Sequence, residues 1–217
     1  MSRDGSTLRI DTLPNGLRIA TERMEGLASA ALGVWIGVGG RHESVRETGV
    51  AHFLEHMAFK GTDTRSALDI AVAIEDVGGY LNAYTSREAT AYYARVLGED
   101  VPLAMDLLAD ILTKPRFSAE DIELERGVIL QEIGQALDTP DDIIFDWLQE
   151  TAYPEQAFGR PILGETHHVK SIGEAELRGF VERCYAPERM VIAAAGDVDH
   201  DALVKQVEGL FGHLKRR

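Results

Sequence analysis

Two strand-like apolar segments near opposite ends of the chain place the strongest constraint on its fold. Residues 29–38 predict a central strand buried on both faces, and residues 190–195 predict a shorter, wholly apolar strand. Between them, residues 80–85 and 90–96 predict an antiparallel pair, while most other segments have helical periodicity. Strands at both ends with helices between them predict an α+β fold, in which a mostly antiparallel sheet is backed by a layer of helices in a two-layer sandwich.

The other elements are predicted from turn residues, caps and periodicity. Asn15 and Gly16 predict the turn of a β-hairpin near the start of the chain. Thr48 is the predicted cap of the first helix, and residues 153–169 are predicted to form a long surface loop. Helices are predicted where apolar residues recur with a helical period, at 48–59, 66–77, 101–112, 118–137, 141–152, 172–184 and 200–211.

Length, charge and cysteine content narrow the class of protein. The 217 residues contain no convincing linker, so residues 1–217 are interpreted as a single domain. A net charge of −14 argues against nucleic acid and anionic membrane surfaces as partners and favours cationic peptides. No apolar run approaches the ~18 residues of a membrane span. The single cysteine, Cys184, and the lack of an apolar secretion-signal core in residues 1–6 predict a cytoplasmic protein.

One short motif carries chemistry. His52, Glu55 and His56 have the spacing i, i+3 and i+4, which places all three on one face of a helix. Two imidazoles one turn apart can bind a single ion, and Zn²⁺ takes about four ligands of this kind. The H-x-x-E-H order is that of inverzincin metallopeptidases. The alternative interpretation is a polar helix face that binds no metal, because short motifs recur by chance.

A zinc site of this type needs a third protein ligand. The predicted helix 118–137 offers several carboxylates, and periodicity alone does not choose among them: Glu120, Glu123, Glu125 and Glu132. Glu125 and Glu132 are seven residues apart and therefore share a face. Glu132 has apolar neighbours, which are Val128, Ile129 and Ile133, so this part of the helix is predicted to be buried. A buried carboxylate requires a partner or an ion.

Several motifs together resemble a known family. They are HFLEHMAFKGT at 52–62, LNAYTSRE at 81–88 and ERGVILQE at 125–132, with shorter matches at 138–142 and 159–164. This set resembles the pitrilysin/insulinase-type zinc metallopeptidases, especially the catalytic β-subunit of mitochondrial processing peptidase and its bacterial relatives. The motifs occur in the family's order and at its separations along nearly the whole chain.

The resemblance implies a role for each matching residue. His52, His56 and Glu132 become the ligands of one zinc ion per chain. Glu55 becomes the general base that takes a proton from water, and Glu125 becomes a carboxylate that orients a ligand histidine through the ring nitrogen not on the metal. The implied activity is a zinc endopeptidase acting on extended, unfolded or presequence-like peptides.

The resemblance also implies a substrate strand. Four residues match the edge strand along which the family lays its peptide, by β-augmentation: Asn82, Ala83, Tyr84 and Thr85. The alternative is an ordinary paired strand. Two adjacent histidines, His167 and His168, fall in the predicted loop, where solvated side chains are favoured over a metal role.

The family pairs two homologous halves, and this chain matches the first half only. We therefore expect the chain to be the N-terminal half of a longer two-domain chain, or to pair with a partner subunit, a dimer being one arrangement. Two other functions remain open: a non-catalytic scaffold or assembly subunit of the same superfamily, and a regulatory zinc-binding module. A scaffold tends to lose metal-site residues, all of which are present here, and a regulatory module leaves Glu55 without a role.

Overall fold

The computed structural model describes residues 7–217, so residues 1–6, predicted to carry no secretion signal, lie outside the described part. The described residues form a six-stranded sheet with the order β1-β2-β6-β3-β5-β4. The strands are β1 Leu8–Thr12, β2 Arg18–Arg23, β3 Ser29–Ile36, β4 Tyr80–Thr85, β5 Thr90–Leu97 and β6 Met190–Gly196. The predicted hairpin near the start of the chain is confirmed, because β1 pairs antiparallel with β2.

The sheet is mostly antiparallel, as predicted. Strand β3 runs antiparallel to both of its neighbours, β5 and β6, and β4 runs antiparallel to β5. Strands β2 and β6 run parallel to each other. A parallel pair requires a long crossover, and here most of the helices lie in the chain between β2 and β6. Because β4 pairs with β5 alone, β4 is an edge strand of the sheet.

Helices cover one face of the sheet. Along β6, buried residues alternate with partly exposed ones, as expected of a strand with one covered face. The helices are α1 Val50–Met57, α2 Ala67–Glu75, α3 Val101–Thr113, α4 Ala119–Asp138, α5 Pro140–Ala152, α6 Thr166–Val169, α7 Glu174–Cys184 and α8 His200–Phe211. In the part of the chain that the structure describes, no helix combines the length and apolar character needed to cross a membrane.

Three local predictions are corrected by the structure. Strand β3 is central, but it is not buried on both faces, since Ala31 is exposed and Trp35 is partly exposed on the uncovered face. The predicted loop 153–169 ends in the short helix α6. The first helix is capped by Gly49 rather than by Thr48, because the chain turns there with a positive φ of 98°.

Glycine at position 49 is required by both conformation and space. A Cβ on Gly49 would lie 2.9 Å from the Leu163 carbonyl oxygen and 2.9 Å from Gly164 Cα. The carboxylate of Glu43 completes this helix start, because it accepts the Gly49 N–H at 2.9 Å and the Ala51 N–H at 2.8 Å. Capping of this kind satisfies the free amides at the N-terminus of α1.

We expect Gly49→Ala to lower the free energy of unfolding by about 2–4 kcal/mol, through backbone strain and overpacking. Gly127→Ala is the matched control, since Gly127 lies within α4 and a Cβ there meets no atom within 4 Å. The control should raise the free energy of unfolding by about 0.5–1 kcal/mol. Denaturant unfolding followed by circular dichroism measures both values, and equal midpoints for the two variants would contradict this account of α1.

Candidate metal centre

Helices α1 and α4 bring three predicted metal ligands together. His52 and His56 project from one face of α1, with their ring centroids 4.7 Å apart. Glu132 Oε2 on α4 lies 3.8 Å from His52 Nε2 and 3.5 Å from His56 Nε2. One donor atom of each residue lies within 4.8 Å of the other two. Helices α1 and α4 therefore face each other, as the predicted site requires.

These donor atoms fit a zinc ion. With zinc–ligand bonds of about 2.0–2.1 Å and tetrahedral angles, neighbouring ligand atoms lie roughly 3.4 Å apart. The two distances from Glu132 Oε2 are close to that spacing and are long for hydrogen bonds. Glu132 Oε2 is also buried and has no hydrogen-bond partner among the residues described. A buried, unpaired carboxylate oxygen beside two imidazole nitrogens is what a shared cation would satisfy.

Burial favours the metal-binding form of His52. Desolvation, with a smaller contribution from the charge of His56, lowers the pKa of His52 to about 4. The imidazole is then neutral at physiological pH, and the neutral ring is the form that binds a metal ion. The environment of α1 therefore prepares one of the two imidazoles for coordination.

Glu55 lies between the predicted ligands and the edge strand. Burial raises the pKa of Glu55, and the hydroxyl of Thr85 and the charge of His56 oppose that shift, while the charge of Glu132 adds to it. The carboxylate thus lies near His56, near Glu132 and near β4. A proton acceptor is placed beside the metal-ligand cluster and beside the strand predicted to bind peptide.

Glu125 makes the contact that its predicted orienting role requires. Its Oε2 lies 2.8 Å from His56 Nδ1, the ring nitrogen that faces away from Glu132. The Glu125 side chain is 6% exposed, against 39% for Glu132. Sequence reasoning predicted burial around Glu132 from Val128, Ile129 and Ile133; Ile129 and Ile133 are buried, but Val128 is exposed. Glu125, the more buried of the two carboxylates, therefore contacts His56 at Nδ1, on the side of the ring away from Glu132.

The predicted substrate residues lie on the edge strand β4. The Ala83 N–H donates to Asn82 Oδ1 at 2.8 Å, so this amide faces the free edge and not β5. Because hydrogen-bonded and non-hydrogen-bonded positions alternate in antiparallel pairs, the backbone of Thr85 faces the same way. Tyr84 is exposed, whereas Ala83 is buried. The open edge of β4 therefore ends beside Glu55.

A second group of possible metal donors lies elsewhere. Glu165, His167 and His168 each offer a donor atom within 4.8 Å of the other two. Glu165 and His167 are both exposed, at 47% and 68% of their side chains, and they form an ion-pair contact of 3.4 Å. The sequence-based expectation of solvated side chains agrees with the exposure of His167. His168 is only partly exposed, and its Nδ1 is buried with no hydrogen-bond partner among the residues described.

Sequence reasoning missed two residues that contact the centre or its helix. Lys60 is in the motif 52–62, but α1 ends at Met57, so helical spacing does not predict that its Nζ lies 2.6 Å from Glu125 Oε1. Glu43 precedes α1 and caps it, and burial raises the pKa of Glu43 to about 7 while the hydrogen bonds from Ala51 and Gly49 oppose the shift. No local sequence signal marks either contact.

Comparison with protein families identifies the chain. Residues 18–166 match the insulinase family (peptidase family M16), and residues 171–217 match the peptidase M16 inactive domain. The chain belongs to the insulinase (M16) peptidase family. An uncharacterized zinc protease of Mycobacterium bovis is 50% identical over 204 residues, which are 94% of this chain and 47% of that protein. Mitochondrial-processing peptidase subunit beta of Saccharomyces cerevisiae is 47% identical over 96% of this chain and 45% of that protein.

A solved structure supports the fold. A protease from Helicobacter pylori superposes with a TM-score of 0.91 at 23% identity, covering 98% of this M16 chain and 51% of that chain. The M16 chain thus spans about half the length of the curated relatives that it matches. The resemblance stated from the motifs is confirmed at the level of the family and of the peptidase class.

Proposed function

We propose that this M16 chain is the catalytic, zinc-binding half of an endopeptidase that cleaves extended or unfolded peptides, including presequence-like ones. One observation carries the proposal: His52 Nε2, His56 Nε2 and Glu132 Oε2 converge at a zinc-ligand spacing with Glu55 beside them. Relatives named as zinc proteases and as a processing peptidase support the metal and the reaction class. We propose one ion per chain, held by these three side chains.

The zinc site, Glu55 and Glu125 have different proposed roles in hydrolysis. Bound zinc would lower the pKa of water and polarise the scissile carbonyl. Glu55 accepts the proton of the attacking water and then passes it to the leaving amine. Glu125 holds His56 in one orientation and one tautomer by accepting its Nδ1–H. The contacts of Glu55 and Glu125 described above are sufficient for these proposed roles.

The peptide is proposed to bind along the free edge of β4. An extended peptide adds to an exposed sheet edge through backbone hydrogen bonds, and these bonds depend little on the amino-acid sequence of the peptide. Asn82, Ala83, Tyr84 and Thr85 supply that edge, and Thr85 places its end next to Glu55. The net charge of −14 is compatible with basic peptides.

A second half is proposed to complete the enzyme. Residues 171–217 match the peptidase M16 inactive domain, and the chain covers under half of the length of a curated relative. The partner is proposed to be a homologous half-domain or a separate subunit. We also keep the cytoplasm as the proposed location, on the basis of the single cysteine, Cys184.

We expect the purified chain alone to bind zinc but to cleave peptides poorly, because the proposed second half would contribute to peptide binding and is missing from this preparation. Metal content is measured after dialysis, and hydrolysis is followed with an unstructured, basic, fluorogenic peptide. Addition of a homologous second half should raise the rate. Full enzyme-like turnover by the chain alone would contradict the need for a second half, whereas a chain without zinc would contradict the proposed function itself.

A further inference from the structure

A lysine next to the metal centre has no role in the proposed function so far. Lys60 Nζ lies 2.6 Å from Glu125 Oε1, and Glu125 Oε2 lies 2.8 Å from His56 Nδ1. The Lys60 side chain is 30% exposed, whereas that of Glu125 is 6% exposed. The buried carboxylate therefore contacts a cation with one oxygen and a predicted ligand histidine with the other.

These two contacts fix the orientation of the Glu125 carboxylate. Both oxygens are engaged, so the group cannot rotate without breaking an ion pair or the contact to His56. The backbone of Lys60 is itself held, because its N–H donates to the Met57 carbonyl at 3.1 Å, immediately after α1. Lys60 thus connects the end of α1 to the first half of α4.

The connection bears on the third ligand as well. Glu125 and Glu132 are seven residues apart on α4, close to two helical turns, and therefore lie on one face. The contacts of Glu125 with Lys60 and with His56 together limit how far α4 can shift along α1. That shift decides whether Glu132 Oε2 lies opposite the two imidazole nitrogens, at the observed 3.5 and 3.8 Å.

We propose that Lys60 is a positioning residue of the metal centre, acting through Glu125 to orient His56 and to set the register of Glu132. This inference rests on the proposed zinc site. Among the ion pairs of the residues described, Lys60 pairs with Glu125 and not with one of the three predicted ligands. Loss of its ammonium group would leave the Glu125 carboxylate buried with one oxygen unpaired, which favours movement of that side chain away from His56.

The test compares the zinc affinity of Lys60→Met with that of the original chain, by competition with a chromogenic chelator. Loss of a group that orients a ligand from outside the coordination shell costs about 10–100-fold in metal affinity, and we expect a loss in that range. Lys60→Arg keeps a cation and should recover most of the lost affinity. Lys114→Met is the matched control, since Lys114 lies 3.6 Å from the similarly buried carboxylate of Asp110, outside the predicted ligand set, and its loss should leave zinc affinity unchanged.

A second measurement separates positioning from general stability. The melting temperature of each metal-free variant is recorded beside its zinc dissociation constant. Lower stability of Lys60→Met with unchanged zinc affinity would show a merely structural ion pair and would overturn the inference. In a Glu125→Gln background, Lys60→Met should have little further effect on zinc affinity, whereas an additive loss would also overturn it.

The failure of this inference is distinguishable from that of the proposed function. If the original chain binds zinc and Lys60→Met binds it equally well, only the role of Lys60 is wrong. If the original chain binds no zinc, the proposed function is wrong, and the role of Lys60 with it. Should Lys60→Met fail to fold, Lys60→Gln is measured in its place, and the same 10–100-fold loss is expected.

Discussion

Replacing Glu55 with Gln is expected to slow peptide hydrolysis by about 10²–10⁴-fold while zinc content stays unchanged. The amide has the size and shape of the carboxylate but cannot accept a proton from water. Glu55 is not among the three converging donors, so its loss should spare metal binding. The rate is measured with a fluorogenic peptide, on the chain alone and with the homologous second half added.

The control for Glu55→Gln is Glu75→Gln, which changes an exposed carboxylate at the end of α2. Its rate and zinc content should both match those of the original chain. Equal hydrolysis by Glu55→Gln and the original chain would exclude Glu55 as the base. Absence of hydrolysis in every preparation, even with the second half present, would favour the scaffold alternative.

Replacing Glu132 with Gln is expected to weaken zinc binding at least about 100-fold, because loss of a ligand should exceed the effect of losing an outer contact. Gln keeps a carbonyl oxygen but lacks the negative charge that balances part of the charge of the cation. Zinc content is measured by elemental analysis after dialysis against a weak chelator, with the original chain treated in parallel.

A carboxylate on the same helix supplies the control for Glu132→Gln. Glu123→Gln alters a side chain that is 76% exposed and contacts only Arg126 in the described ion pairs. Zinc content of this control should be unchanged. Equal zinc in Glu132→Gln and in the original chain would remove Glu132 as the third ligand and, with it, the proposed centre.

Local spacing made part of the site predictable. His52, Glu55 and His56 share a face of α1 because a helix turns about 100° per residue, and the structure preserves that face. The predicted helix starts at 66 and 118 likewise agree with the structure, in which Ser66 and Ser118 cap α2 and α4. The helix over 118–137 and the strand pair 80–85 and 90–96 also agree with their patterns to within a residue or two.

Other features of the site could not be predicted from spacing. Periodicity on α4 left four carboxylates open, and only packing against α1 shows that Glu132 faces the imidazole Nε2 atoms while Glu125 faces Nδ1 of His56. The need for glycine at position 49 depends in part on the approach of Gly164, which is remote in the chain, and Glu43 caps α1 from outside the helix. Which side chains of β3 are buried and which are exposed depends on which face of the sheet the helices cover.

The sequence by itself determined the elements, the family and the histidine pair, because each follows from neighbours within a turn of helix or from motifs in a fixed order. The family resemblance implied which carboxylates meet the histidines and that 82–85 form an edge strand, but the contacts themselves are seen only in the tertiary structure. The tertiary structure alone shows that Lys60 contacts Glu125 from 65 residues away. The physical reason is that contacts between distant segments depend on how the helices pack on the sheet and on one another, and local periodicity does not specify that packing.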